Sequence, residues 1–301
     1  MTNGIRFLVS DGVGYGALFK AHVLPVIKYL PESQISDHYE PGYINVSLSR
    51  EAFPKAEVFM HHGISDKLYR ETSKMMNYDT VFVPGPAWRD KLVYQGMSPK
   101  RIHIIGYPFM DEIFKEPLSR PPLKRTADYV KYGIPTDDMK KPLVVWAPTH
   151  RGTAVVSSQG RLNNVINNES WITKETQHPV YSGFFFRDIL PLADVVVADS
   201  GSTLYEAWAY GVPVVFPSWL IKDSILGVWP NSFEAKIYRE RLGWHANSEN
   251  ELVDMIKQAI KTKNIGSGIE PFMEGIFPQS LRGCSGKRAA QALTEIATGG
   301  C

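Results

Sequence analysis

The sequence predicts an α/β protein of two domains, each a parallel sheet covered by helices. Two observations predict it. Short apolar, β-branched runs recur along the chain, closed by glycine, proline or small polar residues, with helix-forming segments between them. A polar, proline-rich stretch, Lys115 to Lys124 (KEPLSRPPLK), separates those runs into two groups and reads as a linker. Strand–helix alternation on both sides of it implies two parallel sheets.

The elements follow in order. Ile5–Val9 reads as a buried strand and Asp11–Gly16 as a glycine-rich turn. Ala17–Leu30 reads as a helix with Leu18, Val23, Val26, Ile27 and Leu30 inward. Strand, glycine turn and helix open a nucleotide-binding type of domain, or simply a tightly packed one; the glycines do not form GxGxxG. Glu57–Met60 is a strand ending at His61, His62 and Gly63. Tyr78–Val83 and Arg101–Ile105 are further strands, with Asp90–Tyr94 helical between them. Beyond the linker, Leu143–Trp146, Asp194–Ala198 and Val214–Phe216 are strands. Glu249–Lys261 is an amphipathic helix with Leu252, Ile256 and Ile260 on one face, and Lys287–Ala297 is the final helix.

Composition excludes several classes. An apolar fraction of 44% and a charged fraction of 21% are ordinary for a soluble globular protein. A net charge of +2 neither demands nor excludes a nucleic-acid partner. The two cysteines, Cys284 and Cys301, form no disulfide framework or metal-ligand cluster and fit a reducing compartment. The N-terminus lacks the basic region and apolar core of a signal peptide, and no apolar run approaches the roughly 20 residues that span a bilayer. A cytoplasmic location without a transmembrane segment is expected.

The richest stretch is Ala193–Ser218, ADVVVADSGSTLYEAWAYGVPVVFPS. A valine strand enters a turn of small residues, Asp199 to Thr203, then a helix over Leu204–Tyr210 that Gly211 and Pro213 stop. Hydroxyls and unpaired N–H groups at a helix N-terminus bind anions, phosphates among them. Glu206 lies one turn on from Thr203, so a phosphate over Ser202 and Thr203 leaves a ribose within its reach. An ordinary capped helix accounts for the same residues equally well.

Four blocks together resemble the CDP-glycerol glycerophosphotransferases of teichoic-acid synthesis, which have the GT-B glycosyltransferase fold. They are FMHHGISDK (Phe59–Lys67), IIGYPFMDEIF (Ile104–Phe114), VVWAPTHR (Val144–Arg151) and the Ala193–Ser218 stretch. The resemblance rests on His62 five residues before Lys67, on Gly106, Tyr107, Pro108 and Asp111, and on the Ala-Pro-Thr-x-Arg run ending at Arg151. It implies two Rossmann-like domains facing a central cleft. Residues 1–118 would form the acceptor-side domain and 119–301 the nucleotide-donor domain, the final helix being a candidate to pack back on the first. The fourth block departs from the family's usual Asp-Tyr-Ser-Ser and reads Asp199-Ser200-Gly201-Ser202, a version also similar to UDP-N-acetylglucosamine 2-epimerases. The family's His-Pro pair matches His178 and Pro179, although the preceding Thr173–Gln177 is polar and not strand-like.

The resemblance assigns roles. His62 is the candidate base that takes the acceptor proton, with His61 its rival. Arg151, His178, Ser200, Gly201, Ser202, Thr203 and Glu206 are candidate donor contacts, and Lys67 is a further phosphate contact. Gly12, Gly14 and Gly16 form a candidate acceptor-side loop. No Asp-x-Asp pair is present to hold a cation beside a diphosphate, so no cofactor and no essential metal is expected. The expected partners are a nucleotide-sugar or CDP-glycerol donor and an acceptor that is a polyol, a glycan or hydroxymethylated DNA. Trp88 beside Arg89 and Lys91, and Trp244 near Arg239 and Arg241, are the candidate DNA contacts, or else core aromatics beside a charged surface.

Overall fold

The computed structural model describes residues 4–9, 16–49, 53–66, 72–114, 126–137, 139–149, 158, 161–176 and 185–299. The chain divides into two compact units. The first holds residues 1–64, 69–116 and 272–301, and the second 65–68 and 117–271.

The first unit is built on six strands: β1 (Ile5–Leu8), β2 (Gln34–Ser36), β3 (Ile44–Ser47), β4 (Val58–Met60), β5 (Thr80–Val83) and β6 (Ile102–Ile104). Every pairing is parallel, in the order β2-β1-β3-β4-β5-β6. β1, β3 and β4 are buried on both faces, and β4 accordingly reads as a continuous apolar run rather than an alternating one. β1 leads into helix α1 (Gly16–Ile27), and α2 (Pro86–Tyr94) joins β5 to β6. α1 buries Phe19, His22, Val23 and Val26, while Leu24 is exposed. The inward face thus includes Phe19 and His22 in place of the expected Leu18.

The second unit carries five parallel strands: β7 (Leu143–Ala147), β8 (Ile172–Glu175), β9 (Val195–Ala198), β10 (Val214–Pro217) and β11 (Trp244–Ala246). Their order is β11-β10-β9-β7-β8. Helices α3 (Ser202–Tyr210), α4 (Ser218–Val228), α5 (Phe233–Glu240) and α6 (Glu249–Thr262) join the later strands. β8 corrects the reading of Thr173 onward as not strand-like. It is an edge strand with three half-buried positions, and an edge tolerates Thr173, Lys174 and Glu175. α6 starts at its Ser248 cap, whose side chain accepts the Glu251 N–H, and buries Leu252, Ile256 and Ala259.

Two further helices follow, α7 (Ile269–Ile276) and α8 (Ser285–Ala297). In the first unit's core, Ala289, Ala290, Ala292 and Leu293 of α8 join the inward faces of β1, β3 and α1. The start of α8 explains the Gly-Tyr-Pro-x-x-Asp block. Asp111 accepts the N–H groups of Ser285 (3.1 Å) and Gly286 (2.7 Å), and Tyr107 N–H donates to Ser285 Oγ (2.9 Å). Gly106 adopts φ 86, and a Cβ there would lie 2.3 Å from Ser285 Oγ, so only glycine fits. Burial raises the Asp111 carboxyl pKa above the usual value, against the opposing pull of those N–H groups.

Candidate functional site

Each sheet contains a point where the chain's direction of travel reverses. In the first, β1 is followed outward by β2 on one side, while β3 to β6 extend from its other side. In the second, β7 is followed by β8 on one side and β9 to β11 on the other. In open α/β sheets, ligands seat beyond the carboxyl ends of the strands at such a switch point.

His62 belongs to the switch point of the first sheet. It follows β4 by two residues, and its Nδ1–H donates to the carbonyl of Leu48, just beyond β3, at 2.6 Å. Its ring meets Phe19 of α1 edge-on with centroids 5.3 Å apart, and lies 6.3 Å from His22. A carbonyl only accepts, so the neutral ring carries its proton on Nδ1 and its lone pair on Nε2. A base needs this tautomer, held in a set direction. Gly16, the first residue of α1, is buried, whereas Gly12 and Gly14 lie outside the described residues.

His61 has a different environment. It is buried, its ring is 4.5 Å from Trp88 and 5.9 Å from Phe59, and its Nδ1 accepts the Gly63 N–H. Trp88 is itself buried and donates its Nε1–H to the Ile64 carbonyl (3.1 Å), so it is a core aromatic rather than a surface for stacking a base. His22 is buried too, stacked on Phe109 at 4.5 Å with Nδ1–H donating to Leu18.

The second switch point is organised by Asp199, at the end of β9. The carboxylate is fully buried and accepts four hydrogen bonds. Oδ1 takes the N–H groups of Thr149 (2.8 Å) and Ser200 (2.7 Å), and Oδ2 takes Ser158 N–H (2.6 Å) and Oγ–H (2.9 Å). Thr149 follows β7, so one side chain ties together the ends of the two strands that flank the switch. Tyr238 of α5 donates its hydroxyl to the Asp199 carbonyl at 2.7 Å. Burial, then the nearby Asp199 and Glu234 charges, hold the Tyr238 pKa well above the usual phenol value, so it remains a donor.

This frame presents the turn into α3. Gly201 precedes the helix at φ 92 and ψ 179, a backbone that side-chain-bearing residues rarely adopt. Ser202 and Thr203 open the helix and are half-buried. Ser200 instead points into the frame, its hydroxyl 2.7 Å from that of Thr149. Glu206 is buried at 3% exposure, inside the unit rather than along an open helix face. The segment after His62 and Gly63 also reaches this turn, because Ser65 and Asp66 group with the second unit. Ser65 N–H donates to Ser202 Oγ (3.4 Å), and Ser65 Oγ–H and Asp66 N–H both donate to the buried Glu234 (2.7 and 3.2 Å).

Arg151, His178 and Lys67 lie outside the described residues. The structure brings Ser200, Gly201, Ser202, Thr203 and Glu206 together in one turn and helix of the second unit, and His61 and His62 side by side in the first. Sequence reasoning missed the Leu48 carbonyl, Ser158, Tyr238 and Glu234. An acidic residue directly after a valine strand was the one readable signal, for Asp199. Among the described residues no three or more His, Cys, Asp or Glu side chains group as a metal site, and no helix is long and apolar enough to cross a membrane.

Two parallel-sheet α/β domains make up the chain, and the fold is that of the GT-B enzymes. No protein-family pattern and no curated protein sequence matches it. Among solved structures, the wall teichoic acid polymerase TagF is similar with a TM-score of 0.63 at 15% identity, over 98% of this chain and 89% of that one. MnaA of S. aureus, in a co-structure with UDP, gives 0.55 at 10% identity over 100% and 98%. A Listeria monocytogenes protein described as a UDP-N-acetylglucosamine 2-epimerase gives 0.53 at 10% over 99% and 98%. At these identities the likeness is one of fold.

Proposed function

We propose that this protein is a GT-B transferase that moves a sugar or a glycerol phosphate from a nucleotide-activated donor to a hydroxyl. The observation that carries the reading is the turn at Gly201–Thr203, held by a saturated buried carboxylate at the switch point of its sheet and opening helix α3. N–H groups and hydroxyls at that N-terminus suit a phosphate. TagF has been soaked with CDPG and MnaA captured with UDP, which supports a cytidine or uridine nucleotide as donor.

In the proposed step, the acceptor hydroxyl oxygen bonds to the anomeric carbon or to the glycerol-bearing phosphorus of the donor. The bond from that centre to the nucleotide oxygen breaks. A nucleoside diphosphate leaves when a sugar moves, and a monophosphate leaves when glycerol phosphate moves. His62 Nε2 takes the hydroxyl proton, with Leu48 fixing the tautomer. Ser202, Thr203 and the helix N-terminus stabilise the departing charge, with Arg151, His178 and Lys67 as proposed cationic partners. Asp199 and Glu234 are positioning residues, and no metal is required.

Incubation of the protein with CDP-glycerol or UDP-sugars and a panel of polyol, glycan and hydroxymethylated-DNA acceptors tests the reading. Nucleotide release that depends on acceptor and persists in EDTA is expected. Conversion of UDP-N-acetylglucosamine to its 2-epimer without acceptor would replace the transferase by an isomerase.

A further inference from the structure

The Gly-Tyr-Pro-x-x-Asp block takes no part in the step proposed above, yet its tyrosine reaches the candidate base. Tyr107, His22, His62 and α8 all belong to the first unit. The Tyr107 backbone is fixed at the start of α8. Its N–H donates to Ser285 Oγ (2.9 Å), whose own hydrogen goes to the Leu281 carbonyl (2.8 Å). Its ring is buried among those of His22, Phe109 and Phe277, with centroids 5.4, 5.6 and 6.2 Å away. A phenol packed on these sides delivers its hydroxyl to one place.

That place is the backbone of His62. The Tyr107 hydroxyl lies 3.4 Å from the His62 carbonyl, to which it donates, and 3.3 Å from His22 Nε2. His22 Nδ1–H donates to the Leu18 carbonyl (2.8 Å), so in the neutral ring Nε2 is an acceptor. One phenol proton thus serves two acceptors. Both distances exceed the roughly 2.7–2.8 Å of an undivided hydroxyl bond, as a three-centre arrangement requires.

His62 is therefore held at two points. Leu48 holds the ring at Nδ1, and Tyr107 holds the backbone from which the ring projects. With both ends fixed, Nε2 has one direction; a misplacement of about 1 Å can cost 10²-fold in rate.

We propose that Tyr107 is a positioning residue, whose hydroxyl holds the His62 peptide and thereby aims Nε2, with His22 drawing on the same proton. The proposal rests on the reading of His62 as the base. Tyr107→Phe tests it, because the ring packing and the bond to Ser285 survive and only the hydroxyl is lost. Its kcat should fall about 10–100-fold with donor KM unchanged. In histidine-labelled NMR spectra, assigned with His62→Ala, the His62 ring signals should move and those of His245 in the second unit should not. His22→Phe keeps an aromatic ring on Phe109 and leaves the proton wholly to His62, so it should retain kcat. Unmoved His62 signals, wild-type kcat in Tyr107→Phe, or an equal loss in both variants would overturn the proposal. A wild type that releases no nucleotide with any donor would instead refute the transferase reading, and the spectra would still decide whether Tyr107 holds His62.

Discussion

Replacing Asp199 by asparagine tests the frame of the second unit directly. The substitution keeps shape and volume but exchanges one carboxylate oxygen for an NH₂ donor. In one orientation the NH₂ faces the N–H groups of Thr149 and Ser200; in the other it faces the N–H and Oγ–H of Ser158. In the first case two buried N–H donors lose their acceptor; in the second the Ser158 N–H does, while its hydroxyl can turn to accept from the NH₂. A hydrogen bond to a charged group is worth about 1.5–3 kcal/mol, so Asp199→Asn should cost roughly 1.5–6 kcal/mol. Urea denaturation followed by circular dichroism and tryptophan fluorescence measures it. Trp146 is a suitable reporter, because its Nε1–H donates to Ser158 Oγ at 3.3 Å. The loss should fall on the transition of the second unit and leave that of the first unchanged. A loss under about 1 kcal/mol, or one confined to the first unit, would refute the placement of Asp199 as the tie between β7 and β9.

Three further outcomes are expected. Asp111→Ala removes the acceptor for the first N–H groups of α8 and should destabilise the first unit by about 1–3 kcal/mol in the same denaturation experiment, with Asp111→Asn milder. Burial lowers the His245 pKa from 6.5 to about 4, with Ser218 Oγ at 2.8 Å from Nδ1 and Leu242 accepting from Nε2–H. That stabilisation is complete above pH 6.5 and is lost as pH falls, by about 3 kcal/mol at pH 4; a histidine NMR titration with its inflection near 6.5 would contradict it. His62→Ala should lower kcat by about 10²–10⁴-fold with nucleotide affinity unchanged, while His61→Ala, which empties the space against Trp88, should act on stability instead. Steady-state kinetics and calorimetry separate the two.

Most of the sheet framework was legible because strands of a parallel sheet are rich in apolar, β-branched residues: β1, β4, β5, β6, β7, β9 and β10 all fall on such runs. The strands that were not legible have reasons. β2, β8 and β11 are edges, each with exposed or half-buried positions. β3, INVS, is fully buried but carries Asn45 and Ser47, which break the apolar run. Asn45 is held by Glu57 and by the Glu40 and Tyr43 carbonyls, contacts no local pattern announces.

The sites were legible as segments and not as side-chain directions. Ser200 and Ser202 are two residues apart in one turn, yet one hydroxyl faces Thr149 inside the unit and the other meets Ser65. Helical spacing places Glu206 one turn from Thr203, but tertiary packing buries it. Partners of Asp199 lie 41 and 50 residues away in sequence, beyond any motif. His61 and His62 differ only in what surrounds them, Trp88 and Phe59 for one, Leu48 and Phe19 for the other.

The central claim is that the N-terminus of α3 holds the phosphates of a nucleotide-activated donor. Titration calorimetry of the wild type and of Ser202→Ala/Thr203→Ala with CDP-glycerol, UDP-N-acetylglucosamine, CDP and UDP tests it most directly. One cytidine or uridine nucleotide should bind the wild type. Loss of hydrogen bonds to a charged phosphate, about 1.5–3 kcal/mol each, should weaken it in the double variant by at least roughly tenfold. Equal affinity in the two proteins, or no binding of any of the four at millimolar concentration, would contradict the account.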